Sequence, residues 1–187
     1  CDAYILSWAK TKTSGWSYGW LQFDLSSGLP IARSTFLKIL KGATYGSGPN
    51  KGKSIIPAEQ VKALFEAAQT KAGKGLTKDE RDLIDAALGS AYGISAIDKA
   101  TSQHLDNLIK GADTIISKAS ADDKAFLGSD LGKLWLCDIQ QQGSLLLKLD
   151  KGKKPKMSKL EGFLYGRSIF GFKKDAVLGF DDILELH

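Results

Sequence analysis

A mainly α-helical domain, interrupted near its amino end by one small β-hairpin, is the fold class that three observations predict. Apolar residues recur at helical spacing from about residue 54 onward. Ser, Thr, Pro and Gly stand where such helices would start and stop. Residues 15–25 break this pattern with a cluster of aromatics and two glycines. The length of 187 residues and mass of 20.2 kDa fit one domain spanning residues 1–187. With 43% hydrophobic and 25% charged residues, the chain is neither disordered, collagenous nor coiled-coil in composition. A folded chain of this size buries roughly 70% of its unfolded surface, so it needs no metal or disulfide to fold.

The elements follow in order. Ser34–Gly42 is expected to form a short capped helix, and residues 42–53 a loop. Pro57 suits the first turn of a helix whose apolar face is Val61, Leu64, Phe65 and Ala68, with Gly73 beyond its end. Thr77-Lys-Asp-Glu80 reads as a capping box, in which hydroxyl and carboxylate satisfy each other's orphan backbone N–H groups. It opens a helix buried through Leu83, Ile84, Ala87 and Leu88 and stopped by Gly89. Ile94, Ile97, Thr101, Leu105, Leu108 and Ile109 extend the same spacing up to Gly111. Ser120–Asp123 and Ser158–Glu161 are further helix starts. Phe126, Leu131, Leu134, Trp135 and Ile139 are expected in the core, as are Phe163, Leu164, Ile169 and Phe170. No internal repeat is present, and 148–158 reads as a loop.

Charge is uneven. Residues 1–53 carry seven basic and two acidic groups, residues 54–147 ten and thirteen, and residues 148–187 nine and six. The run Lys148–Lys159 holds six lysines and one aspartate. It reads either as a solvated loop or as a strip that steers the protein onto an anionic polymer. Nucleic acid is not the expected partner, because the lysines lack interleaved aromatics and no nucleic-acid-binding signature accompanies them. No membrane span is expected either, since Leu145-Leu146-Leu147 falls far short of the ~18 apolar residues required. No signal peptide opens the chain, so either none is needed or it lies outside this stretch. Cys1 and Cys137 could pair in an oxidising compartment, but two distant cysteines do not decide this. His104 and His187 are isolated and no CxxC pair exists, so no metal site and no cofactor are expected.

Chemistry concentrates in Gly15-Trp-Ser-Tyr-Gly-Trp-Leu-Gln-Phe-Asp-Leu25. Two glycines within five residues would each cost ~1 kcal/mol in a helix interior, which favours a hairpin or extended loop. In an extended chain Tyr18, Trp20, Gln22 and Asp24 share one face. An aromatic platform beside an amide and a carboxylate suits a sugar chain: ring faces stack on pyranose C–H groups, while Gln and Asp bond hydroxyls or orient a water. The competing reading makes Trp16, Tyr18 and Trp20 core packing, with Asp24 capping a turn. Asp2 and Asp24 are the only carboxylates in residues 1–53.

This stretch resembles the Gly-x-Ser-x-Gly-x-x-Gln-x-Asp element of lysozyme-like peptidoglycan hydrolases. Ala125–Lys133, Asp138-Ile-Gln140 and Glu161-Gly-Phe-Leu-Tyr-Gly-Arg167 are similar to the helical lobe of lysozyme-like muramidase domains in secreted antibacterial effectors and phage lysins. The resemblance implies a lysozyme-like helical domain, of the kind found at the ends of longer proteins. It also implies hydrolysis of the bond between N-acetylmuramic acid and N-acetylglucosamine. Peptidoglycan would be the substrate, a cognate immunity or inhibitor protein a partner, and secretion or delivery to the bacterial periplasm the destination.

On that reading Asp24, Asp2 and Gln22 form the catalytic set, while Ser17, Tyr18, Trp20, Tyr45, Glu161 and Arg167 bind substrate. One departure stands out: these enzymes carry a catalytic Glu just before the motif, and this chain has no Glu before Glu59. Glycoside hydrolysis needs a proton donor for the leaving oxygen. Either Asp2 substitutes, or the acid comes from a later helix, or the chain is an inactive form. The alternative function is therefore a non-catalytic glycan-binding module with a degenerate active site.

Two further features are weaker. Glu161 stands three residues after Ser158, which suits a helix cap as well as a substrate contact. Gly52-Lys53-Ser54 matches the end of a phosphate-binding loop, but Ser47 replaces the first Gly and Pro57 would interrupt the following helix. The loop is better read as a cleft-side segment offering Tyr45 and Asn50 to sugar.

Overall fold

Residues Ser7–Trp8 (β1), Trp16–Tyr18 (β2) and Phe23–Asp24 (β3) form a three-stranded antiparallel sheet in sequence order. The computed structural model describes residues 2–8, 15–70, 75–119 and 121–141. Cys1, Gly73, Ser120, the lysine run 148–159, the Ser158–Glu161 helix start and the apolar residues 163–170 lie outside them, as do the side chains of Phe126, Asp138 and Ile139. Trp8 pairs with Trp16, Ser17 with both Ser7 and Asp24, and Tyr18 with Phe23. Aromatic cross-strand pairs of this kind are the main stabilising unit of so small a sheet.

The helices among the described residues are α1 (Pro30–Gly42), α2 (Val61–Ala68), α3 (Lys78–Leu88), α4 (Ala91–Lys118), α5 (Ala121–Leu127) and α6 (Asp130–Gln141). The expected mainly helical class is what the structure shows, while the small β-hairpin expected near the amino end is a three-stranded antiparallel sheet. Two helix starts differ from expectation. α1 begins at Pro30 rather than at Ser34, because the ring fixes φ near the helical value where no N–H is needed. The Ser34 hydroxyl instead donates to the Ile31 carbonyl. α2 begins at Val61, after a turn closed by the Gln60 N–H on the Pro57 carbonyl at 2.9 Å.

The capping box of α3 forms as expected. The Thr77 N–H donates to Glu80 Oε2 at 2.7 Å, and the Glu80 N–H donates to Thr77 Oγ1 at 3.3 Å. The Thr77 N–H, followed by its hydroxyl, holds the Glu80 carboxyl below the usual range. Gly93 lets the first turn of α4 approach the end of α3, since a Cβ there would collide with the Ala87 and Leu88 carbonyls.

The chain divides into two compact units, residues 1–104 and residues 105–187. The core of the first unit is built on Tyr18, Phe23, Leu25, Phe36, Ile39, Ile84, Leu88 and Ile97, all buried. Tyr18 meets Phe23 at 5.7 Å and Phe36 at 5.6 Å, and Phe36 stacks on Phe65. Within the second unit, Leu108, Ala112, Ile115, Leu127, Trp135 and Leu136 are buried. Gln140 Nε2 donates to the Leu108 carbonyl at 3.0 Å, and Lys133 pairs with Asp113 at 3.3 Å. Leu131 and Leu134, expected in the core, are exposed. The buried face of α6 runs instead through Gly132, Trp135 and Leu136, which turns those two leucines outward.

Candidate functional site

The site grows from the turn that follows β2. The Gln22 N–H bonds the Gly19 carbonyl at 3.1 Å, closing a reversal between Tyr18 and its partner Phe23. Gly19 has φ of 80°, and a Cβ there would sit 3.2 Å from the Phe23 ring. Glycine suits the position by its backbone angle, and a Cβ would press on the Phe23 ring. Gln22 also takes a positive φ, 51°. This tight turn ends the alternation of faces and projects Trp20 outward, leaving 60% of the residue exposed.

Two distant segments hold that indole. Its Nε1–H donates to Asp98 Oδ1 at 3.2 Å, and the Tyr4 hydroxyl donates to the same oxygen at 3.0 Å. The Tyr4 and Trp20 rings meet edge to face, with centroids 5.8 Å apart and planes at 85°. Tyr4 is positioned in turn by its own N–H on Asp2 Oδ1 at 2.9 Å, and by the Gly19 N–H on the Ala3 carbonyl at 2.8 Å. Asp98 follows the fully buried Ile97 on α4, so its backbone is anchored in the core while its carboxylate reaches solvent. The result is an outward indole, a phenol ring perpendicular to it and a fixed carboxylate, all within the first unit.

The other expected site residues are placed differently. Tyr18 is fully buried and its hydroxyl donates to the Ala32 carbonyl at 2.6 Å. Burial pushes its pKa well above the ordinary phenol value. Tyr18 is thus a core residue, and the expectation that it shares a sugar-facing surface with Trp20 is corrected: Gly19 reverses the chain between them. Ser17 is also buried, and its hydroxyl donates to Gln22 Oε1 at 3.1 Å, so it presents nothing to a ligand. Trp16 is buried against Trp8, with Arg81 above its ring.

Asp24 takes the turn-capping role that was the competing reading. Its Oδ1 accepts from both the N–H and the hydroxyl of Ser26 at 2.7 Å. Asp2 organises the backbone at Tyr4, accepting from its N–H. Tyr45 is half-buried against the core, and its N–H and C=O bond Lys53 and Gly52 within the 42–54 loop. Glu161 and Arg167 lie outside the described residues.

Tyr4 and Asp98 are the site residues that sequence reading misses. Their bonds to one another and to Trp20 span 94 and 78 residues, beyond the reach of any local spacing rule. Asp85 is a third carboxylate of note. Its Oδ1 accepts from the Leu6 N–H at 2.7 Å, tying the entry to β1 onto α3. Burial, aided by the negative charges of Asp82 and Asp2, pushes its carboxyl above the usual range. Among the described residues no group of three His, Cys, Asp or Glu side chains is placed to hold a metal ion. No described helix is long and apolar enough to cross a membrane. Compared with family models, curated proteins and solved structures, the chain matches none.

Proposed function

We propose that this chain is a glycan-binding module directed at the sugar strands of peptidoglycan, built on a lysozyme-like helical fold and belonging to a protein that is secreted or delivered to the bacterial periplasm. The observation that carries the reading is the exposed Trp20 indole, held at its N–H by Asp98 and packed perpendicular to the Tyr4 ring. A ring held this way offers a flat apolar face with little rotamer entropy left to lose, which is the condition for stacking a pyranose. Asp98 is exposed, and the second oxygen of its carboxylate suits acceptance from a sugar hydroxyl or an acetamido N–H. The resemblance of residues 15–25 to muramidases supplies the ligand class.

Binding is favoured over cleavage by the placement of the acids. Asp24 Oδ1 caps the turn at Ser26 and Asp2 Oδ1 accepts from the Tyr4 N–H, so both carboxylates expected to act in glycoside hydrolysis are engaged in local backbone structure. The test is co-sedimentation with purified sacculi, with the supernatant analysed for released muropeptides. Retention of the protein without muropeptide release is expected, together with at least a tenfold loss of retention in Trp20→Ala. Released reducing ends would restore the muramidase reading, and failure to sediment would remove the glycan-binding one.

A further inference from the structure

A groove lies in the first unit, lined by none of the residues that hold Trp20. It encloses about 560 Å³ between one turn of α1, the 54–58 segment and one turn of α2. That volume is within the range of small-molecule sites. Leu37, Ile56, Val61 and Phe65 give it an apolar lining, and Phe65 is backed by the buried Phe36. Its two charged lining residues are both cationic: Lys41, one turn after Leu37, and Lys62, beside Val61. Ser54 supplies the remaining polar group, and no lining residue is acidic. The only ion pair that engages Lys62 among the described residues is with Glu66 at 4.0 Å, between two largely solvent-exposed side chains. Such an exposed pair is screened by water and salt, so it competes weakly with a ligand anion.

From this complementarity we infer that the α1–α2 groove binds a single-chain anionic amphiphile, a fatty carboxylate, with its chain along Leu37, Ile56, Val61 and Phe65 and its headgroup between Lys41 and Lys62. A glycan does not suit the groove, because the lining offers no carboxylate or amide side chain for sugar hydroxyls. An amphipathic partner helix suits it less well, since recognition through i, i+3, i+4 and i+7 anchors spans two turns or more, and here each helix contributes one.

The test uses the full chain and laurate, kept below its micellar concentration, followed by amide chemical shifts. Perturbations confined to residues 37–41 and 54–65 are expected. Binding should weaken at least tenfold when dodecanol replaces laurate, and at least tenfold in Lys41→Glu/Lys62→Glu, whose side chains project from the surface. Leu37→Trp should fill the groove and abolish binding while the charged rim remains. Equal affinity for dodecanol, unchanged laurate binding in the charge-reversed variant, or shifts centred on the exposed Leu105, Ile109, Leu131 and Leu134 would overturn the assignment. So would binding of an acidic amphipathic helical peptide to the groove in place of laurate.

Discussion

Strand β2 and the turn that follows it are adjacent in sequence and opposite in physical character. In the strand, Trp16, Ser17 and Tyr18 are all buried, and the Tyr18 hydroxyl, far from water, donates to Ala32. Two residues later Trp20 is mostly in solvent, with its indole N–H held by a carboxylate from α4. Both aromatics have a satisfied polar atom, so neither is strained by burial or by exposure. What separates them is the direction of the ring face. Tyr18 packs on Phe23 and Phe36 and contributes to stability, whereas Trp20 keeps most of its surface in solvent and can contribute to binding. In a stretch as rich in aromatics as residues 15–25, exposure of a held ring identifies a site better than residue type does.

The largest expected effect separates the two regions by stability. Tyr18→Ala removes a fully buried ring and should cost roughly 3–5 kcal/mol, read as a lower denaturant midpoint. Trp20→Ala should stay within about 1 kcal/mol of the parent, because the ring it removes is mostly in solvent. Comparable losses in both would place Trp20 in the core and erase the distinction. The next effect concerns Asp24. Asp24→Ala removes the acceptor for both Ser26 donors and should cost about 1 kcal/mol, while retention on sacculi stays at the parent level. Loss of retention without loss of stability would return Asp24 to the ligand site.

The smallest effect is a pH dependence through Asp85. Because burial raises this carboxyl in the native state, the folded chain keeps its proton at pH values where the unfolded chain, near the ordinary ~3.9, has released it. Asp85 therefore favours folding at low pH. That contribution is lost as pH rises from the ordinary carboxylate value through the raised native one. Asp85→Asn keeps an oxygen for the Leu6 N–H and cannot ionise. Parallel denaturation curves across that window should show the parent losing stability relative to the variant as pH rises. A gap that stays constant, or moves the other way, would show that the Leu6 hydrogen bond outweighs desolvation.

How much could be read in the chain depended on how local the cause was. The α3 capping box lies within four residues and forms as its sequence says. The start of α1 was misplaced because Ser34 is a good cap in isolation, while Pro30 fixes the backbone four residues earlier. The shared face of Tyr18 and Trp20 was an extrapolation of strand alternation across Gly19, whose positive φ is the signal that the strand ends there. Asp24 as a turn cap was legible, since the Ser26 donors stand two residues away. The Trp20–Asp98–Tyr4 cluster was not, because it exists only once the sheet and α4 share one core. Leu131 and Leu134 misled for a related reason: Gly132 carries no apolar signal, yet it is the residue that faces inward.

The most direct test follows the side-chain indole N–H resonances during titration with a soluble oligomer of alternating N-acetylglucosamine and N-acetylmuramic acid. The Trp20 resonance should move progressively and saturate, while that of the buried Trp16 stays in place. A Trp20 resonance that does not respond, or a response confined to Trp16, would contradict the assignment of the held surface indole as the sugar-binding face.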